Sequence, residues 1–233
     1  MLDLSMKNLL ARGGIEFLAV FIGIVLSLWV DDWRGDRELR HRLEEDYKKI
    51  HIEVKADIVN IDSIISSNQN HVENEEYLLS VINKKEKFHF DKVVNSIATI
   101  TSPTFFGNNA AYSSSVASGR FNTASHNQIS NQMSNQISNL YEHYYKRLVL
   151  NGDLLDQRAV DFNRDYSIKF YRPIYNQNNI DTVSLKTYFY SKNFHNGLLR
   201  NHHFRKVNYM KRLFQTREQM VKVDKHLDNH FYN

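Results

Sequence analysis

The sequence predicts an all-α protein, in which one N-terminal transmembrane helix continues into a long amphipathic helix and then a helical domain. Three observations lead to this prediction. The 233 residues include only two prolines and eight glycines, and this scarcity favours long helices over a many-turned β fold. Residues 13–30, "GGIEFLAVFIGIVLSLWV", form an apolar run with a single charge. Beyond this run, apolar residues recur at helical spacing, and no strand-like alternation competes with them.

The apolar run is long enough to cross a bilayer. Its 18 residues would rise about 27 Å as a helix, and a bilayer core is about 30 Å thick. Trp29 and Trp33 stand where an interfacial aromatic belt is expected. A cleaved signal peptide and a buried core helix are the alternatives. The abrupt start of charged sequence at Asp31, and the lack of small residues at the usual cleavage spacing, favour the membrane span.

Basic residues near the two ends of the run predict its orientation. Lys7 and Arg12 precede the run. More basic residues follow it closely, namely Arg34, Arg37, Arg40, Arg42, Lys48 and Lys49. The positive-inside rule therefore places the C-terminal body in the cytoplasm, as a single-pass protein.

One face of the predicted span differs from the others. Steps of three and four residues align the small and polar members of the run on this face, which are Glu16, Val20, Gly23, Ser27 and Asp31. Such a face is typical of a membrane helix that associates with copies of itself. We therefore expect a homo-oligomer, with a tetramer as the working assumption, in which this face lines a central pore. In the alternative, Glu16 only snorkels to the lipid headgroups.

The predicted organisation has three parts. Residues 1–33 form an interfacial segment and the span, residues 34–83 a long amphipathic helix, and residues 84–233 a helical domain. An apolar stripe marks the second part and consists of Leu39, Leu43, Tyr47, Ile50, Val54, Ile58, Ile61 and Ile65. This stripe could pair between subunits as a coiled coil, or it could pack on the chain's own C-terminal domain.

Helical spacing continues through the rest of the chain. We expect helices over residues 72–82, 90–100 and 109–118, and two last helices over about 184–200 and 203–231. The near-repeat "NQISNQMSNQISNLYEHYYKRL" is low in complexity, but it aligns Ile129, Met133, Ile137, Leu140 and Tyr144 on one face, which indicates a helix.

No pattern in the sequence indicates an enzyme, a metal centre or a cofactor. The absence of cysteine excludes a disulfide framework and a thiolate metal site. Glu38 and His41 form one Glu-x-x-His pair without the partner set that a di-iron site requires. His226 and His230 lie one turn apart, and a solvated terminal helix explains them more simply than a metal does.

The C-terminal end is basic. Residues 191–233 contain nine Lys or Arg against three acids, with aromatic residues among them. Basic groups neutralise phosphates, and aromatic rings stack on unpaired bases. The candidate ligand-binding residues are Arg120, Lys146, Arg147, Arg200, His202, His203, Phe204, Arg205 and Lys206. Anionic lipid headgroups or water would satisfy the same charges, so the sequence leaves the partner of this end open.

Two motifs carry a resemblance to known proteins. The segment "GIVLSLWVDDWRGDRELRHRLEEDYKKIHIEV" resembles the N-terminal signature of a broad bacterial family of small membrane proteins, in which a span ends in an Asn/Asp-Asn/Asp-Trp motif. The segment "AYSSSVASGRFNTASHNQISNQMSNQISNLYEHYYKR" resembles the second motif of that family. Asp31 and Asp32 stand where asparagines are usual, and Arg120 follows the glycine of the turn. The layout is also similar to the membrane effectors of Hailong anti-phage systems.

The resemblance implies a location in the bacterial inner membrane and a role in antiviral defence. It also implies a partner nucleotidyltransferase that makes short DNA oligomers as a signal. We therefore expect an oligomeric ion-conducting effector, gated by an anionic nucleic-acid or nucleotide ligand on its cytoplasmic domain. Two alternatives stay open: a membrane-anchored scaffold or sensor that binds a protein and does not conduct, and a toxin-like protein that only disturbs the bilayer.

Overall fold

The computed structural model describes the backbone of residues 3–121, 128–170 and 181–232. The described residues form helices, turns and loops without any strand, so the all-α prediction is confirmed. Helix α1 runs from Asp3 to Ile82 and spans 80 residues without a break. The predicted continuity between the apolar run and the amphipathic helix is therefore observed, and the separate helix predicted over 72–82 is the end of α1.

Helix α1 has two halves that differ in their surroundings. We call residues 17–42 the N-terminal arm and residues 43–82 the docked half. Except for the half-buried Val30, every side chain of the arm is exposed. From residue 17 onward the first buried residue of α1 is Leu43, so the arm extends about 39 Å beyond the packed domain. In the part of the chain that the structure describes, no helix carries an apolar stretch long enough to cross a membrane.

The docked half packs on the chain's own C-terminal helix. Six members of the predicted stripe are buried, which are Leu43, Tyr47, Ile50, Val54, Ile61 and Ile65. They belong to one core with Leu213, Met220 and Leu227 of the last helix. Of the two arrangements that the sequence left open, the structure therefore has packing within the chain.

Seven shorter helices follow α1 in the described ranges. They are α2 (Phe90–Ala98), α3 (Ala110–Ala117), α4 (Gln128–Asn139), α5 (Lys146–Phe162), α6 (Thr182–Phe189), α7 (Lys192–His203) and α8 (Met210–Tyr232). Three π-helical segments extend these helices, namely π1 (Leu140–Tyr145), π2 (Asn163–Ser167) and π3 (Phe204–Tyr209). Because π1 joins α4 to α5 and π3 joins α7 to α8, each pair forms one continuous bent helix.

The C-terminal helices differ from the predicted pair at 184–200 and 203–231. A break lies at Tyr190 and Ser191, where the Ser191 Oγ accepts a hydrogen bond from the Phe194 amide at 3.2 Å and caps α7. No break follows residue 200, because π3 carries the helix through residues 204–209 into α8. The low-complexity segment is helical from Gln128, as predicted, although the side chain of Ile129 lies outside the described residues.

Two apolar cores hold the domain together. The larger one joins the docked half to α4, π1 and α8, and it contains Ile137, Leu140 and Leu213. The smaller one lies at the far end of α1, where Leu78 and Val81 meet α2, α6 and α7. Its centre is a group of phenylalanines that comprises Phe162, Phe170, Phe189 and Phe194. This second core fixes α5 against α7, and these two helices form the walls of the cleft described next.

Polar contacts set the register of α1 against α8 and π3. His51 pairs with Asp224, Asp62 with Arg217, and Glu75 with Arg205. Higher numbers on α1 meet lower numbers on the partner, so the two long helices run antiparallel. The Glu75–Arg205 pair is fully buried, which places an ion pair inside the interface between the helices.

Candidate anion-binding cleft

A cleft opens on the surface between α5 and the bend formed by α7 and π3. Its volume is about 540 Å³, and Arg158, Arg200, His203 and Phe204 are among its lining residues. The local pattern of α7 explains their placement. Phe194, Gly197, Leu198 and Asn201 are buried against the domain, so Arg200 and His203 lie on the opposite, exposed side of the helix.

Arg158 is held in place by an aromatic ring. Its guanidinium lies 4.5 Å from the centre of the Phe204 ring, a cation–π distance. Phe204 is itself buried, so the covered ring is not available for stacking on a base. Burial of the guanidinium and the neighbouring charge of Arg200 lower the pKa of Arg158, and Asp161 opposes this shift without cancelling it. Two positive groups therefore face the same space.

The nearby acids are engaged by another residue. Asp161 and Asp165 line an inner crevice beside the cleft, together with Arg158 and Arg200. Arg164 holds both acids, at 3.2 Å from Asp161 and 2.7 Å from Asp165. Among the residues that the structure describes, neither Arg158 nor Arg200 forms an ion pair or a hydrogen bond through its side chain. Three arginines therefore stand against two aspartates around the cleft and the crevice, which leaves one net positive charge.

The inner crevice adds a buried acceptor. Its volume is about 70 Å³, and its wall includes Asn201, which is 2% exposed. The amide of Asn201 donates to Glu75 Oε1 at 2.7 Å, while its Oδ1 atom has no partner within the described residues. Close packing of the wall depends on Gly197, because a Cβ atom there would lie 2.7 Å from the Tyr166 ring. The cleft thus combines two arginines, a histidine and a small polar recess.

This arrangement suits an anion of phosphate chemistry. Two guanidinium groups supply planar, forked donors that match phosphate oxygens, and His203 can add a third donor when it is protonated. The geometry of the described residues therefore supports binding of an anion.

Three of the predicted ligand-binding residues lie elsewhere, on the side of the bend that faces α1. Arg205 is fully buried and donates to Glu75, to Asn68 and to the carbonyl of Thr101. Lys206 pairs with Glu76, and His202 lies 3.4 Å from Glu75. Arg205 and Lys206 form ion pairs with α1 and His202 lies against it, so none of the three is offered to a ligand in the cleft.

Arg120 is a structural partner of α1. It forms a two-bonded pair with Asp46, at 2.7 and 3.2 Å. Burial raises the pKa of Asp46, but the hydrogen bonds from Arg120 and the positive charges of Arg120 and Lys49 outweigh it and hold that pKa below its usual value. Gly119 precedes this pair with a φ of 74°, the left-handed conformation expected at the turn.

Lys146 and Arg147 lie apart from the cleft, at the start of α5. Both side chains are exposed, and Lys146 pairs with Glu142 one turn earlier. The tyrosines of the same segment are buried against α1 instead. Tyr145 donates to Asp57 at 2.7 Å, and Tyr141 stacks on Tyr112 with ring centres 4.5 Å apart. The second sequence motif therefore serves to attach α3 and π1 to the docked half.

The predicted pore face lies on the N-terminal arm. Val20, Gly23, Ser27 and Asp31 are exposed along one side of α1, and no atom lies within 4 Å of a Cβ built on Gly23. The side chain of Glu16 lies outside the described residues. The cleft and this face have no residue in common.

Sequence reasoning found Arg200, His203 and Phe204 but missed Arg158. The segment "GDLLDQRAVDF" gives Arg158 no local sign of function, because it reads as one charged position of an amphipathic helix. Its role depends on the packing of α5 against α7, which no spacing within α5 reveals. Glu38 and His41 of the Glu-x-x-His pair each contact a different neighbour on α1. Glu38 pairs with Arg42, and His41 Nδ1 lies 3.6 Å from Glu45.

Comparison with known families places the chain in one of them. Residues 16–186 match the family described as "Family of unknown function (DUF6090)". The chain belongs to this family. The match covers the predicted span, the docked half and the tyrosine-rich motif, and it ends before α7. A search of curated proteins found no match, and a search of solved structures found none.

Proposed function

We propose that this member of the family is an oligomeric membrane effector of the bacterial inner membrane. Residues 13–30 span the bilayer, its copies line an ion-conducting pore, and its cytoplasmic domain binds a phosphate-bearing ligand that gates the pore. The ligand is a short single-stranded DNA or a nucleotide, and the setting is defence against phage. The observation that carries the proposal is the cleft with two arginines that form no ion pair among the described residues, on a domain attached to an exposed apolar helix.

The exposed apolar surface of the arm supports the membrane segment. Phe17, Phe21, Ile24, Leu28 and Trp29 are between 53% and 70% exposed. Apolar side chains occur on every side of the helix between residues 17 and 30, whereas a helix that packs on a protein surface needs only one apolar stripe. Lipid is the solvent that suits such a surface, and residues 13–16 extend the proposed span at its N-terminal end.

The small face of the arm supports self-association. Gly23 and Ser27 let helix backbones approach closely, and polar groups in a bilayer avoid lipid by facing the centre of a bundle. One span from each copy encloses a pore only as an oligomer. A tetramer with Glu16 and Asp31 near the two ends of the pore fits a cation path, since carboxylate rings attract cations.

Titration with an oligonucleotide tests whether the cleft binds a nucleic-acid ligand. The full chain in mild detergent is titrated with a short single-stranded DNA at several salt concentrations. Arg158→Gln with Arg200→Gln should weaken binding and lower the slope of log affinity against log salt by about 1.4, at about 0.7 for each phosphate contact on a single strand. The matched control is Lys146→Gln with Arg147→Gln, which removes the same charge outside the cleft and should leave the slope nearly unchanged.

Equal slopes for the two double variants would overturn the cleft as the ligand site. Binding of anionic vesicles by the wild-type domain, with no oligonucleotide bound even at low salt, would assign the basic end to lipid headgroups instead.

A pore and a scaffold that does not conduct differ in ion flux and in subunit number, and both can be measured. Glu16→Gln should reduce ion flux in a reconstituted bilayer while leaving the assembly intact. Phe17→Leu changes an apolar side chain outside the predicted pore face and should leave the flux nearly unchanged. A monomer in mild detergent would exclude the pore and favour the membrane-anchored scaffold.

A further inference from the structure

A separate cluster of polar side chains lies where α1 and α8 pack together. His51 and Lys55 are one turn apart on α1, and Asp224 and Asp228 are one turn apart on α8. His51 Nε2 is 2.9 Å from Asp224 Oδ1 and 3.3 Å from Asp228 Oδ1. One ligand atom from each of these three residues lies within 4.8 Å of the other two. The antiparallel register of the long helices brings the four residues together.

The spacing of the three atoms suits a small transition-metal ion. A tetrahedral ion with bonds of about 2.0–2.1 Å holds its ligand atoms about 3.3–3.4 Å apart. The two distances from His51 Nε2, 2.9 and 3.3 Å, lie near this value, and the two carboxylate oxygens lie within 4.8 Å of each other. Imidazole nitrogen and carboxylate oxygen are both ligands that Zn²⁺ accepts, and water can fill the fourth position.

Burial is graded across the cluster. The His51 side chain is 7% exposed, Asp224 is 23% exposed and Asp228 is 41% exposed. The imidazole therefore forms the floor of the cluster, and Asp228 stands at its open side, from which an ion can enter. The ring of Phe231 stacks over His51 with centres 6.1 Å apart and limits rotation of the imidazole.

Lys55 supplies positive charge to the same carboxylates. Its ammonium is 3.0 Å from Asp228 and 4.0 Å from Asp224, and its side chain is 50% exposed. A lysine with a long flexible stem can turn into solvent at small cost, whereas the packed His51 cannot. Lys55 and a metal ion would therefore compete for the two carboxylates, and this competition makes the site testable.

We propose that His51, Asp224 and Asp228 bind a divalent transition-metal ion and thereby attach the C-terminal helix to α1. The ion displaces the ammonium of Lys55, and the chain is a metal-responsive protein in addition to any role of the cleft. The site shares no residue with the cleft or with the predicted pore face, so it stands independently of the proposed function.

Cobalt is the probe that reports directly on such a site. The full chain, in mild detergent and without a histidine tag, is titrated with Co²⁺, and tetrahedral binding is read from visible absorption. His51→Ala and Asp224→Asn should each abolish that absorption. Lys55→Gln should lower the dissociation constant for Co²⁺, because it removes the ammonium that competes for the two carboxylates. Zn²⁺ should displace the bound Co²⁺.

The controls separate metal binding from loss of structure. His226→Ala lies on the same helix outside the cluster and should bind Co²⁺ like the wild type. Helix content by circular dichroism shows whether each variant is folded. Absence of the cobalt spectrum in both the wild type and Lys55→Gln would overturn the proposal, and so would unchanged binding in a folded Asp224→Asn.

Discussion

The two halves of helix α1 belong to one unbroken helix but are built for different surroundings. In the docked half, Ile50, Val54 and Ile61 are fully buried and lie on one stripe, with charged residues between them. In residues 17–30 of the N-terminal arm, Phe21 and Ile24 are more than half exposed, and apolar residues occupy every side. A stripe needs a partner on one side only, whereas an apolar surface on all sides needs an apolar environment all round. Both halves are therefore helical, and the distribution of apolar side chains around the helix determines which surroundings suit each half.

The largest effect should come from the buried ion pair that fixes the docked half. Arg205→Met leaves Glu75 as an uncompensated buried charge, so the free energy of unfolding should fall by about 3–5 kcal/mol. Chemical denaturation of the full chain in mild detergent, followed by circular dichroism, measures this loss. Lys206→Met removes a half-exposed neighbour of Glu76 and should cost less than about 1 kcal/mol. Equal losses would mean that Arg205 is not the residue that holds the bend on α1.

Truncation of one isoleucine in each half compares how much the two halves contribute to the stability of the domain. Ile50→Ala should lower the free energy of unfolding by about 2–5 kcal/mol, because the side chain is fully buried in the larger core. Ile24→Ala deletes the same atoms in the arm and should leave the unfolding of the domain unchanged. If Ile24→Ala destabilises the domain as much as Ile50→Ala does, the arm packs on protein and the comparison fails.

The smallest of these effects depends on pH and concerns the Asp46–Arg120 pair near the junction of the two halves. Since the pKa of Asp46 is held below its usual value in the folded state, the carboxylate stabilises the fold at pH values above its unfolded pKa of about 3.9. That contribution is lost as the pH falls through the folded pKa.

Asp46→Asn should therefore be less stable than the wild type at neutral pH, by about 1.5–3 kcal/mol. The difference should shrink below about pH 4. Denaturation midpoints at neutral and acidic pH measure both quantities. A difference that is independent of pH would show that the side-chain charge contributes nothing.

Much of the fold follows from local spacing in the sequence. The buried stripe from Leu43 to Ile65 was predictable because each member recurs at helical intervals and the charges occupy the other faces. The break at Tyr190 and Ser191 was not, since Ser191 caps α7 with no proline or glycine beside it to mark the boundary. The π-helical bends likewise leave no clear sign in the sequence, so the last two helices were divided at the wrong place.

The candidate cleft was predictable only in part. Arg200, His203 and Phe204 fall in one basic segment, and their residue types indicate an anion. The same segment contains Arg205, whose type is identical to Arg200 but whose direction on the helix is inward. A run of basic residues therefore reports charge without reporting which members reach solvent. Arg158 comes from a distant segment and enters the site only through the contact between α5 and α7.

The central claim is that residues 13–30 reside in lipid, and extraction of membranes with alkaline carbonate tests it most directly. The full chain should stay in the membrane pellet. A variant with Phe21, Ile24 and Leu28 each replaced by lysine should move to the soluble fraction with its domain folded, because none of these side chains contributes to either core. Release of the wild-type protein by carbonate, or retention of the folded triple variant, would contradict the claim.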